Sequence, residues 1–263
     1  FVGANFASDA FLIAFRLPNM FRALFAEGAF SAAFIPLFNR KVAAKDGRGL
    51  PDGITFAEDA LSVLLPALIA MTVLVEIAAW PVTWLLTLGY KGGASARFDY
   101  IVELCRLTFP YLLLISLVSL LGGILNSLHR FWIAAAAPIL LNLTLITALL
   151  FFHHQDPLMT ARNQAMAVTV SGALQLLWLW WACRRAGVTL KLKLPRLGPD
   201  VRRLMRLIVP AAVGAGAVQI NLVISTALTA KLLPEGSVSY IYNADRLNQL
   251  PLGLIGIGLG TVL

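Results

Sequence analysis

Runs of about 20 apolar residues recur along this chain, and each is long enough to cross the hydrocarbon core of a bilayer as a helix. The composition agrees, with 59% hydrophobic residues, 13% charged residues and a mean hydropathy of +0.80, whereas soluble domains contain about 25% charged residues. The Leu-, Ala- and Val-rich blocks do not alternate as the strands of a membrane barrel do. The sequence therefore predicts an all-α, polytopic membrane helical bundle with about seven transmembrane helices visible.

Short polar or Gly- and Pro-rich loops separate the predicted spans. Thr55, with Glu58 three residues later, has the pattern of a capping box and predicts that the second span begins at Thr55. The chain opens at Phe1 without Met and stops at Leu263 inside an apolar run, so we expect a fragment that lacks both ends. The predicted spans cover approximately residues 8–38, 55–88, 100–127, 134–152, 161–181, 207–233 and 237–263.

Basic residues are divided unevenly between alternate loops. One set of loops, 39–53, 128–132 and 184–206, holds thirteen Lys and Arg residues, whereas the opposite set holds five. The positive-inside rule predicts that the first set is cytoplasmic, and a topology signal of this kind argues against nucleic-acid binding. Cys105 and Cys183 are expected near opposite faces of the membrane, too far apart for a disulfide, and so as free thiols.

Three arginines, Arg16, Arg22 and Arg246, lie within predicted spans rather than in loops. A charged side chain at bilayer depth costs at least about 2.5–3.5 kcal/mol on insertion scales, so it normally faces protein or a water-filled cavity. On the first helix, Asp9 and Glu27 fall within roughly 20° of Arg16. Two interpretations stay open: the arginines pair with carboxylates as structural contacts, or they bind an anion, for which the planar guanidinium is suited.

Uncharged polar residues extend both of these charged faces. Asn19 widens the polar sector of the first helix, and Ser239, Tyr242 and Gln249 lie within about 60° of Arg246 on the last helix. Three arginines with amide and hydroxyl neighbours in two helices favour the anion interpretation. The sequence therefore predicts an anionic ligand that is held inside the membrane.

Sequence motifs of catalysis are missing from the chain. It contains no P-loop, HExxH, GxSxG or CxxC pattern, so ATP hydrolysis, metalloprotease and serine-hydrolase chemistry have no support. We expect a protein that is not an enzyme and that needs no cofactor and no metal site. Whether a cation is coupled to its activity is left open.

Three stretches resemble the MurJ/MviN family of bacterial lipid II flippases, within the multidrug/oligosaccharidyl-lipid/polysaccharide (MOP) exporter superfamily. They are SDAFLIAFRLPNMFRALFAEGAFSAAFIP, TFPYLLLISLVSLLGGILNSLHRFWIAAAAPILLN and YNADRLNQLPLGLIGIGLGTVL. The resemblance covers essentially the whole chain in order. It implies two six-helix lobes around a central cavity, followed by two further helices. Residues 1–185 would form the N-terminal lobe without most of its first helix, 186–206 a basic cytoplasmic linker, and 207–263 the first two helices of the C-terminal lobe.

This resemblance implies a flippase of the bacterial cytoplasmic (inner) membrane that works by alternating access. Its substrate would be lipid II, undecaprenyl-pyrophosphoryl-disaccharide-pentapeptide, moved from the inner to the outer leaflet. The family's functional cavity residues match Asp9, Asn19, Arg22, Ser239 and Arg246 of this chain. Glu27 matches the acidic residue of the family's AEGAF motif, and Gln249 stands where some members have an acidic residue.

Other functions remain open on the same fold. The protein could export another lipid-linked oligosaccharide or a drug, or it could be a scaffold for cell-wall assembly that transports nothing. Lipid II and membrane lipids are the expected partners, with cell-wall synthesis proteins as further candidates. A cationic drug would suit acidic side chains better than a cavity that contains arginines.

Overall fold

The computed structural model describes residues 3–25, 29–44, 49–89 and 95–251, and in these ranges it contains ten helices and no strand. The helices are α1 (Phe6–Phe25), α2 (Ala29–Val42), α3 (Leu50–Ile77), α4 (Ala79–Leu86), α5 (Ala96–Thr108), α6 (Tyr111–Ser127), α7 (Phe131–Phe151), α8 (Pro157–Arg185), α9 (Pro199–Leu232) and α10 (Ser237–Pro251).

Four of the described elements are long and apolar enough to cross a membrane: α3, α7, α8 and the consecutive helices α5 and α6 taken together. Helix α9 is a fifth if its two parts, which bend by 46°, form one span. The all-α membrane bundle that the sequence predicts is therefore confirmed. Charged residues interrupt α1, and the described part of α10 has only 15 residues, so membrane crossing by these two helices stays a prediction.

The start of α3 differs from the prediction. Helix α3 begins one turn before Thr55, with Pro51 in its first turn, a position that suits proline because no helical N–H is lost. The Thr55 hydroxyl donates to the Pro51 carbonyl at 2.9 Å inside the helix. Glu58 instead accepts the backbone N–H of Lys191 at 2.9 Å. The capping-box prediction was wrong, because Thr55 lies inside the helix and Glu58 accepts from Lys191 rather than from Thr55.

A row of phenylalanine rings packs α2 against α3 and α6. Phe30, Phe34 and Phe38 recur every four residues and so share one face of α2, and all three are buried. Phe34 also stacks on Phe56 of α3, with ring centroids 5.5 Å apart. On α6, a Cβ added at Gly123 would lie 3.0 Å from the Phe34 ring. The missing side chain at Gly123 therefore lets α6 approach the aromatic row closely.

The connection between α8 and α9 is extended rather than helical. Helix α9 begins at Pro199, so the last eight residues of the predicted linker 186–206 already belong to that helix. Val188 is buried against the bundle core, which fixes the start of the connection. The assignment of the chain to two lobes stays a prediction.

Both cysteines are free and buried, as the sequence predicts. Cys105 lies on α5 and Cys183 on α8. The Cys183 thiol donates weakly to the Leu121 carbonyl at 3.8 Å, which is a packing contact between α8 and α6.

Candidate functional site

A cavity of 610 Å³ lies between α1, α2, α6, α7, α8 and α10. Asn126 and Phe131 line it, at the end of α6 and the start of α7, so the cavity extends toward the turn at 128–130. The end of α8 and the connection to α9 lie at the same end of the bundle. The polar residues that line the cavity are Asn19, Arg22, Ser31, Tyr111, Ser119, Asn126, Asn142, Gln175, Tyr242 and Arg246.

Arg22 reaches this cavity from α1. Its Nε donates to the Oδ1 of Asn19 at 3.1 Å, and both side chains are half-buried. The two residues are three apart on the helix and therefore share one face. Asn19 thus orients one edge of the guanidinium.

Arg246 lines the same cavity from α10, more than 200 residues later in the chain. Its Nε and Nη2 both donate to the Tyr242 hydroxyl, at 3.1 and 2.8 Å. Among the described carboxylates none is within ion-pair distance of Arg246, and the adjacent Asp245 accepts from Gln249 Nε2 at 2.7 Å instead. A pairing of Arg246 with Asp245 is therefore not what holds this arginine, and its charge remains available to an anion.

Arg16 has a different environment. Its Nη2 donates to the Leu222 carbonyl of α9 at 3.1 Å, and its buried Nε has no hydrogen-bond partner among the described residues. It does not line the cavity, although it is close enough to Asp245 and Arg246 to interact with them electrostatically. Arg16 therefore joins α1 to α9 beside the cavity.

Asp9 and Ser239 meet each other at the opposite end of the bundle. Asp9 is 8% exposed and Ser239 is 3% exposed. The Ser239 backbone N–H and hydroxyl donate to Asp9 Oδ1 at 2.9 and 2.6 Å, and the Gly236 N–H donates to Oδ2 at 2.7 Å. Asp9 therefore caps the N-terminus of α10 from another helix, where a negative charge is favoured by the helix dipole.

Further contacts join the same region. Arg97 at the start of α5 pairs with Glu235 in the turn between α9 and α10, and its guanidinium lies 5.0 Å from the centroid of the Phe6 ring. Gly236 has φ +87°, and a Cβ there would lie 2.9 Å from the Ala4 carbonyl oxygen. We call the region in which these residues meet the closed end, and it consists of Asp9, Ser239, Gly236, Arg97 and Glu235.

The structure thus divides the residues that the sequence singled out. Asn19, Arg22 and Arg246 line the cavity, whereas Asp9 and Ser239 bind each other at the closed end. Gln249 is exposed and bonded to Asp245, and Glu27 lies outside the described residues.

Several polar cavity residues were not among the predicted site residues. Asn126, Asn142 and Gln175 all line the cavity. They are amides within otherwise apolar predicted spans, and polar groups in a span normally face the protein interior. If this rule had been applied to amides as well as to charged residues, it would have predicted that these three residues face the cavity.

Comparison with known proteins identifies the family. The family model described as "Lipid II flippase MurJ" matches residues 1–263. The chain belongs to the MurJ family of lipid II flippases. The resemblance drawn from the three sequence stretches is confirmed, and the chain is a multi-pass membrane protein.

Individual MurJ proteins support this assignment. The chain is 42% identical over 265 residues to a "Probable lipid II flippase MurJ" of Rhizobium tropici, covering 100% of the chain and 49% of the relative. It is 36% identical over 269 residues to the "Lipid II flippase MurJ" of Burkholderia cenocepacia, covering 99% and 50%. The chain therefore spans about half the length of the curated relatives it matches.

A solved structure shows the same fold. The structure titled "Lipid II flippase MurJ, inward closed conformation" matches with a TM-score of 0.79 at 22% identity, covering 100% of this chain and 53% of that chain. At this identity the match establishes the architecture alone, an all-α membrane bundle like that of the MurJ structure.

Proposed function

We propose that this chain provides the substrate-binding half of a flippase that moves lipid II across the bacterial inner membrane. The observation that carries the proposal is the cavity lined by Arg22 and Arg246, which belong to α1 and α10. A pyrophosphate carries charge that cannot cross hydrocarbon unaided. Two guanidinium groups in a cavity inside the bundle offer it bidentate, charge-assisted hydrogen bonds at membrane depth.

The hydrogen bonds of each arginine suit this role. Asn19 accepts from Arg22 and the Tyr242 hydroxyl accepts from Arg246, so an uncharged side chain orients each guanidinium. A guanidinium paired with a carboxylate would have to lose that partner before it bound an anion. Arg246, which has no described carboxylate within ion-pair distance, can bind the pyrophosphate without first breaking an ion pair with Asp245.

The cavity and the closed end together suggest how access alternates. We place the loops 39–53, 128–132 and 184–206 in the cytoplasm, as their thirteen basic residues favour. The cavity then opens toward the inner leaflet while the closed end seals the outer side. Residues 1–185 would move relative to α9 and α10 about the extended connection 186–198, and the contacts of Asp9 with α10 would break when the outer side opens.

Replacement of the two arginines tests the proposal. We expect Arg22→Ala and Arg246→Ala, each introduced into the complete protein, to insert in the membrane but to fail to support growth of a flippase-depleted strain. Arg162→Ala is the matched control, because Arg162 is half-exposed and pairs with Glu103 at 2.8 Å away from the cavity. Growth should be normal for this control.

The same experiment separates the rival functions. A scaffold without transport activity predicts full complementation by Arg22→Ala and Arg246→Ala, provided that both proteins reach normal levels in the membrane. An exporter of cationic drugs predicts that drug binding is retained or improved when the positive charge is removed. Either result would remove lipid II transport through this cavity as the function of the arginines.

A further inference from the structure

A second cavity lies outside the bundle core, where the extended linker meets α9. Its volume is 590 Å³. Three exposed arginines on the first turns of α9 dominate it, and we call Arg202, Arg203 and Arg206 the arginine cluster. Residues three and four apart on a helix are neighbours, so Arg206 adjoins both of the others. Leu197, Pro199 and Leu207 complete the lining.

The charge of the arginine cluster is not neutralised by nearby acids. Within the described part of the chain, no carboxylate forms an ion pair with any of the three arginines. The acid closest in sequence, Asp200, is instead bound to Lys41, with Oδ2 and Nζ 2.7 Å apart. Three positive charges thus face one cavity, and no described carboxylate pairs with them.

The length of α9 sets the depth of the cluster. Its 34 residues correspond to about 51 Å at 1.5 Å per residue, whereas a bilayer core is roughly 30 Å thick. The excess must lie outside the hydrocarbon, and the polar first turns of α9 are the part suited to water. Because the apolar run of α9 begins at Leu207, immediately after Arg206, the cluster lies at the level of the lipid headgroups.

The linker before α9 presents apolar side chains beside these charges. Leu192, Leu194 and Leu197 are 73%, 81% and 63% exposed. The linker is fastened to α3 next to them, where Lys193 Nζ lies 2.8 Å from Glu58 Oε2. Exposed leucines among basic residues are typical of segments that insert apolar side chains among lipids while their charges contact anionic headgroups.

We propose that the arginine cluster binds the phosphate of an anionic membrane phospholipid, with Leu197 and Leu207 against its acyl chains. A guanidinium group can donate two hydrogen bonds to two oxygens of one phosphate. Each basic residue near an anionic leaflet also strengthens the attraction of the protein to the lipid headgroups. The site is separate from the cavity of Arg22 and Arg246, and it does not depend on whether that cavity carries lipid II.

The test measures lipid binding to the complete protein in a neutral detergent. Phosphatidylglycerol and phosphatidylcholine are titrated separately, with native mass spectrometry or bound-lipid analysis as the readout. The test variant changes all three cluster arginines to Gln. The control variant changes Arg130, Arg184 and Arg185 to Gln, which removes the same charge from the same predicted side of the membrane. Thermal unfolding in the same detergent checks that both variants are folded.

The cluster variant should lose at least about tenfold in phosphatidylglycerol affinity, and the control variant should lose less than about threefold. A variant with three lysines at the cluster positions should bind with intermediate affinity, because it keeps the charge but loses the paired donors of the guanidinium groups. This variant serves as the test if the Gln variant unfolds. Equal losses in cluster and control variants would overturn the proposal in favour of general surface charge. Displacement of the lipid by millimolar inorganic phosphate would also overturn it, by assigning the cluster to a soluble anion.

Discussion

At the closed end, Asp9 is 8% exposed and its two carboxylate oxygens accept three hydrogen bonds from Gly236 and Ser239. At the cavity, Arg246 is exposed and its described hydrogen bonds go only to the Tyr242 hydroxyl. Both are charged residues that the sequence assigned to one site. The Asp9 carboxylate is hydrogen-bonded within the protein, whereas the charge of Arg246 remains available to a ligand.

This difference separates a structural charge from one available to a ligand. A buried carboxylate costs free energy unless it is hydrogen-bonded, and Asp9 recovers that cost by capping α10. Arg246 is exposed and held by a neutral hydroxyl, so the described carboxylates do not offset its charge. Stability should therefore depend mainly on the closed end, and ligand binding mainly on the cavity.

The largest effect on stability should come from Asp9→Ala. The change leaves two backbone N–H groups and the Ser239 hydroxyl without their acceptor, and we expect a loss of about 3 kcal/mol in the free energy of unfolding. Asn19→Ala in the cavity should cost less than about 1 kcal/mol, because it removes one half-buried hydrogen bond. Denaturant unfolding in detergent measures both, and similar losses for the two variants would break the distinction between the regions.

Gly236→Ala should have the next largest effect. The residue has φ +87°, and the new Cβ would lie 2.9 Å from the Ala4 carbonyl oxygen, so backbone strain and a steric clash combine to about 2–3 kcal/mol. Gly187→Ala is the matched control, since φ there is +78° but nothing lies within 4 Å of the added Cβ. The control should lose only about 1 kcal/mol. Equal unfolding midpoints for the two variants would show that the turn does not pack closely against Ala4, just before α1.

Arg97→Gln should have a small effect. Arg97 and Glu235 are both more than half exposed, and exposed ion pairs contribute about 0–1 kcal/mol. A double-mutant cycle with Glu235→Gln measures the coupling in detergent at low salt. A coupling energy above about 2 kcal/mol would mean that this pair, rather than Asp9, dominates the closed end.

The smallest effect concerns the linker contact at the cavity end and appears only at high pH. The hydrogen bond to Glu58 raises the pKa of Lys193 above its ordinary value. The contact therefore stabilises the fold fully below the unfolded-state pKa, about 10.4, and is lost as the pH rises through the higher folded-state pKa. The melting temperature of the wild type should approach that of Lys193→Gln above this range. If the melting temperatures of the wild type and Lys193→Gln differed by a constant amount from neutral to high pH, a titrating contact would be ruled out.

Much of the fold could be predicted from the sequence because long apolar runs have few alternatives in a bilayer. The prediction that Cys105 and Cys183 are free followed from the positions of their spans, which place them near opposite faces of the membrane. The start of α3 was missed because Thr55 and Glu58 matched a local pattern while Glu58 bonds to Lys191, 133 residues away. The signal for the earlier start, Pro51 after Gly49, was present but weaker.

The candidate site could be predicted only in part. A helical wheel places Asp9 with Arg16 on one face of α1, but it does not tell which neighbour each meets along the helix axis. Asp9 and Arg16 are about two turns apart, far enough for one to reach the N-terminus of α10 and the other the Leu222 carbonyl of α9. The contact between Asp9 and Ser239 joins residues 230 positions apart, and helix periodicity alone carries no information on such pairs.

In the proposed function, Arg22 and Arg246 hold the pyrophosphate of lipid II within one cavity. The most direct test is the affinity of the purified, complete protein for lipid II, compared between the wild type, Arg22→Ala, Arg246→Ala and the Arg162→Ala control. Hydrogen bonds to charged groups contribute about 1.5–3 kcal/mol, so each cavity variant should bind lipid II about 10- to 150-fold more weakly, while the control binds as the wild type does. Unchanged affinity in both cavity variants, with both proteins folded, would contradict the account.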